Sequence, residues 1–144
     1  MKILVALAIS IELVSILSCP MVRAAPSIPD YVEIVAPNPS LPKELAAFFG
    51  KYEGVSGAIK FFVIVAQIDK EKATIYIFRE GNPVTEHNGW EVVEAEVFKE
   101  RGKYQLWYHS RVSGHLGGSS QASLEGKYLQ LTSGVGRVKL SRVP

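Results

Sequence analysis

From Gly50 onward, apolar and polar residues alternate with a period of two, the spacing of strands that bury one face. In Val93-Glu94-Ala95-Glu96-Val97 the apolar residues share one side and the glutamates the other. Leu129 and Leu131 alternate with Tyr128, Gln130 and Thr132, and Val138 and Leu140 alternate with Arg137, Lys139 and Ser141. The pattern predicts strands over Lys51–Val55, Ala58–Ile68, Ala73–Arg79, Trp90–Lys99, Tyr104–Ser110, Ser119–Leu124, Tyr128–Thr132 and Arg137–Arg142. Turn chemistry separates most of them: Asp69-Lys70-Glu71-Lys72, Gly81-Asn82-Pro83, Glu100-Arg101-Gly102-Lys103, Glu125-Gly126-Lys127 and Gly134-Val135-Gly136. No intervening segment is long enough for a crossover helix, so consecutive strands are expected to pair antiparallel. Closing them on themselves leaves no open edge. The expected fold class is all-β, an eight-stranded antiparallel up-and-down barrel with a short N-terminal helix.

Two stretches break the alternation. Phe61-Phe62-Val63-Ile64-Val65-Ala66 and Ile75-Tyr76-Ile77-Phe78 are apolar on both faces, so their outer side needs a cover. The N-terminal arm, the short helix or a second protomer would each serve. Over Leu41–Gly50 the chain reads as one or two helical turns, with Pro42 suited to the first turn and Gly50 to the stop. Leu45, Phe48 and Phe49 fall on one side of it. Residues 25–42 are punctuated by Pro26, Pro29, Pro37, Pro39 and Pro42, which forbids a continuous helix or a central strand. Their middle, Tyr31–Val35, is apolar enough to lie against the domain as an ordered arm. A flexible linker is the alternative.

The first two dozen residues differ from the rest. Lys2 precedes an apolar run from Ile3 to Ser18, followed by Cys19-Pro20 and the small pair Ala24-Ala25. This is the pattern of a signal peptide cleaved after Ala24. The expected organisation is a signal peptide over 1–24, a Pro-rich arm over 25–42 and a barrel domain over 43–144, with export to the periplasm or medium. A membrane anchor would need about 20 apolar residues, and Glu12 interrupts a shorter run. Lipid anchoring at Cys19 is a further alternative, opposed by bulky Leu17 and by Pro20. The single cysteine would leave with the signal, so no disulfide is expected. A domain of the remaining size can bury a sufficient core unaided. Lys and Arg number 16 against 14 Asp and Glu, and the basic residues are scattered, which does not suggest nucleic acid or a membrane surface as partner.

Catalytic chemistry finds little material. The spacing of His87, His109 and His115 matches no metal-binding helix motif, so neither a metal nor a cofactor is expected. Ser113–Ser120 mixes serine with histidine but is not a nucleophile elbow, and reads as a glycine-rich hairpin connection. Glu94 and Glu96 lie opposite the apolar row and face water. Aromatics remain. An eight-stranded barrel has room for packed side chains or for one small ligand. In Tyr104–His109 one face is Tyr104, Leu106 and Tyr108, and the other is Gln105, Trp107 and His109. Either gives an apolar lining with one or two polar handles. The expected lining residues are Phe62, Trp90, Trp107, Tyr108 and His109, the alternative being a filled core with Trp107 on the surface.

The most informative pair sits at opposite ends of the domain. Near its start is Phe49-Gly50-Lys51-Tyr52-Glu53-Gly54, and near its end Lys139-Leu140-Ser141-Arg142. Arg142 shares a side with Val138 and Leu140, the buried side, where a planar guanidinium stacked on an aromatic ring finds a home. This arrangement resembles the calycin, or lipocalin-like, pattern of small exported bacterial barrels, with Tyr52 standing where lipocalins proper have tryptophan. The resemblance implies that Gly50, Tyr52 and Arg142 close one end of the barrel and that a ligand enters at the other. The functional expectation is an exported, non-enzymatic binding protein for a small apolar or amphipathic ligand in a barrel cavity. The alternative is an interaction or structural module, a homodimer included, pairing through its apolar second and third strands.

Overall fold

The computed structural model describes residues 25–81, 89–110, 118–134 and 136–144. The expected signal peptide with Cys19, and His87 and His115, lie outside the described residues. A one-turn helix α1 (Lys43–Ala46) precedes β1 (Gly50–Ser56), β2 (Ile59–Ile68), β3 (Lys72–Glu80) and β4 (Gly89–Glu100). They are followed by β5 (Lys103–His109), β6 (Ser119–Glu125), β7 (Tyr128–Ser133) and β8 (Gly136–Val143). Every strand runs antiparallel to its sequence neighbours, and β8 returns to β1, giving a closed barrel in the order β1 to β8. This is the expected up-and-down architecture, consistent with a lipocalin-like fold.

Alternation along each strand sorts the side chains into two cores. Inside lie Tyr52, Val63, Val65, Ile75, Ile77 and Val93, with Leu106, Tyr108, Ala122, Leu129 and Leu140 completing the ring. Leu41, Leu45 and Phe48 join the same core from the lead and α1. Pro42 caps α1 from outside its first turn, and its carbonyl takes the amides of Leu45 and Ala46. Burial of a leucine or phenylalanine contributes about 1.5–3 kcal/mol, which holds so short a helix in place where its own hydrogen bonds would not.

The doubly apolar second and third strands form the other core, on the outside. Phe62, Ile64, Ala66 and Tyr76 are buried there, with Val32, Phe78, Trp90 and Val143 packed against them. The cover comes from the arm: Val32 lies in this cluster and the Tyr31 ring stands 6.3 Å from that of Tyr76. A bulge explains how the arm is tied down. The β2–β3 register steps from Val65↔Ile75 to Gln67↔Thr74, leaving Ala66 without an opposite residue. Its carbonyl instead accepts the Val35 amide at 2.8 Å. The same step returns Ile68 to the inner core.

Candidate functional site

The end of the barrel carrying α1 is closed by Tyr52 and Arg142, which face each other across the β1–β8 pairing. The Tyr52 hydroxyl donates to the Phe48 carbonyl at 2.9 Å and accepts from Arg142 Nη2 at 2.7 Å. Arg142 also donates to the Ala47 carbonyl, and its guanidinium carbon stands 5.1 Å from the Tyr52 ring centre. Gly50 makes the close approach: a Cβ there would lie 2.9 Å from Arg142 Nη1, and its φ of 141° is a region L side chains avoid. The structure thus brings Gly50, Tyr52 and Arg142 together. Burial pushes the Tyr52 phenol above its ordinary pKa, against the opposing charge and hydrogen bond of Arg142.

The opposite end is built differently. Arg79 stands at an inward position of β3, two residues beyond Ile77, and Glu91 at an inward position of β4, two before Val93. Arg79 Nη1 donates to Glu91 Oε2 at 2.8 Å and Nη2 to Ser110 Oγ at 3.0 Å. The Ser110 hydroxyl in turn donates to Glu91 Oε2 at 2.8 Å, closing a triangle. Arg79 is only 8% exposed and Ser110 1%. The Arg79 guanidinium carbon is 6.0 Å from the centre of the Phe61 ring, its register partner on β2. Beside them Tyr108 hydrogen-bonds to Ser120. Its pKa is pushed up to about 12, first by burial, with Arg79 lowering it and Glu91 raising it. The result is a charged, hydrogen-bonded group held inside the barrel at the end away from Tyr52.

Only one of the five expected lining residues points into the barrel. Tyr108 does, and is 4% exposed. Phe62 and Trp90 lie on the outer face, their rings edge-on at 6.0 Å, because Val63 and Val93 take the inward positions of the same strands. Trp107 and His109 also face out, with ring centres 5.5 Å apart, because Leu106 and Tyr108 point in. Trp107 is 43% exposed. Val63, Val65, Ile77, Leu106, Leu129 and Leu140 are fully buried in the interior. This part of the barrel is filled by side chains.

Sequence reasoning passed over Arg79, Glu91, Ser110 and Ser120. The signal was there in the spacing: each charge continues the inward row of its own strand. Among the described residues, no three His, Cys, Asp or Glu side chains gather into a metal-sized cluster. Comparison with family models, with curated proteins and with solved structures finds no match for this chain.

Proposed function

We propose that the chain is an exported, lipocalin-like, non-enzymatic binding protein that takes a small amphipathic ligand at the barrel end opposite Tyr52 and Arg142. The observation that carries this reading is the Arg79–Glu91–Ser110 triangle. Replacing a buried ion pair by apolar side chains of similar volume is often neutral or stabilising. A charged group inside a mostly apolar barrel is therefore better explained by what it binds than by what it stabilises. Arg79 offers the remaining N–H groups of its fork, while Phe61 and the Tyr108 ring offer apolar surface next to it. The filled middle favours a ligand seated at the rim rather than deep in the barrel. The rival module reading is less well supported, because the outer face of β2 and β3 already carries Val32 and Tyr31 of the same chain.

Fluorescence tests the reading. The chain has two tryptophans, so a Trp107→Phe variant reports through Trp90 alone, the neighbour of Glu91 in β4. Titration with fatty acids, haem and aromatic metabolites should give a saturable change with one of these classes, weakened in Glu91→Gln. A flat response to every class removes the ligand reading. Export is tested separately by N-terminal sequencing of the secreted protein, which should begin at Ala25.

A further inference from the structure

The outer face of β5, β6 and β7 differs from the rest of the barrel. Charged residues make up 21% of the chain, yet on β5, β6 and β7 they occur only at two strand ends, Lys103 and Glu125. Their outward side chains form a lattice in register. Trp107 stands between Glu96 on β4 and Gln121 on β6, and Gln121 pairs onward with Thr132 on β7. In the next row Gln105 pairs with Ser123. At the centre Trp107 is exposed and is flanked by the His109 ring. Gln105 adds a second signal: its Oε1 is shielded from water and has no hydrogen-bond partner. A buried acceptor left unpaired is costly, so turning this amide toward a ligand hydroxyl gains a bond without surrendering one.

We propose that this face binds a neutral saccharide, with a sugar ring stacked on Trp107. The chemistry selects that occupant among the alternatives. An anion or nucleic acid would need cations, and Trp107 has a carboxylate across from it on β4 and an amide on β6. An added peptide strand would need a free sheet edge, and the barrel has none. A lipid or an apolar protein surface would need a continuous apolar patch, whereas Trp107 and the half-buried Phe98, partner of Gln105 on β4, stand among amides, hydroxyls and the Glu96 carboxylate. A pyranose presents what is missing: an apolar C–H face for the indole and a rim of hydroxyls that both donate and accept. Strands about 4.8 Å apart place the Glu96 carboxylate and the Gln121 amide on either side of the ring, within reach of those hydroxyls. The site is on the outside of the barrel and does not depend on the Arg79–Glu91–Ser110 end.

The test is retention of protein from full-length expression on insoluble cellulose, chitin and peptidoglycan, with affinity electrophoresis in gels containing soluble glucans and mannans. We expect binding to at least one of these, weakened about tenfold or more by Trp107→Ala and roughly fivefold by Gln121→Ala. Both substitutions are on the surface, so the thermal midpoint should stay near that of the parent and separates lost binding from lost folding. Retention on none of these polymers, or retention that Trp107→Ala leaves unchanged, overturns the proposal. Self-association in sedimentation that Trp107→Ala abolishes would assign the face to a second copy of the chain, and would overturn it as well.

Discussion

Arg79 and Glu91 hold each other inside a mostly apolar barrel, and the carboxylate supplies the counter-charge that the buried guanidinium needs. Glu91→Ala leaves a guanidinium without its counter-charge and should cost about 3 kcal/mol in urea denaturation. The double change Arg79→Met with Glu91→Leu should recover most of that loss, since no charge is then stranded. Tyr108 adds a dependence on pH. Its folded pKa of about 12 exceeds the ordinary phenol value of 10.0, so the folded state favours the neutral ring. That preference contributes fully below pH 10 and is lost as pH rises from 10 to about 12. Tyr52 shifts in the same direction. Denaturation curves at pH 8, 10 and 11.5 should show stability falling by up to about 1.4 kcal/mol per pH unit per group, with a shallower fall in Tyr108→Phe. At this scale the sequence was only half legible. Alternation told which residues share a face, but weighting aromatic size over position placed Phe62, Trp90 and Trp107 inside when their own strands turn them out.

The elements were easier to read than the residues, and their departures from regularity harder. The expected strands differ from the observed ones by at most one residue at each end, because period-two alternation and turn residues are local signals. The bulge at Ala66 is not local: it exists because β2 must serve two cores and still return Ile68 inward. Gly54 is a similar case. A Cβ at Gly54 would lie 2.7 Å from both the Leu140 side chain and the Lys139 carbonyl, atoms at the far end of the chain. Nothing near Gly54 in the sequence announces that contact. Gly54→Ala should therefore cost about 1–3 kcal/mol through overpacking. Gly57, in the β1–β2 turn, has open space around it and a φ of 58°, so Gly57→Ala should cost only about 1 kcal/mol from the backbone. Thermal melts of the two variants side by side check the contrast.

For the whole molecule, the up-and-down order followed from short turns and the lack of crossovers. Whether the ring was hollow did not. Interior space depends on strand tilt and stagger as well as on which side chains point in, and neither is written in a run of residues. The arm shows the same limit: Tyr31–Val35 looked apolar enough to dock, but only the bulged carbonyl of Ala66 shows where. Shortening the chain by its last three residues removes Arg142 and two of the three β1–β8 register pairs. The truncated protein should lose its cooperative melt, while a shortening by Pro144 alone should not.

That join has a short paired register, although β1 and β8 stay packed beyond it, where Gly54 lies against Leu140 and Lys139. Three residue pairs link β8 to β1, where eight link β2 to β3. Amides along it should be the first in the strands to exchange with deuterated solvent, ahead of those between β2 and β3. Once parted, each margin matches the opposite margin of another molecule as well as its own. At high protein concentration the barrel should therefore trade its last strand between copies, giving dimers in which each ring is completed by the other chain.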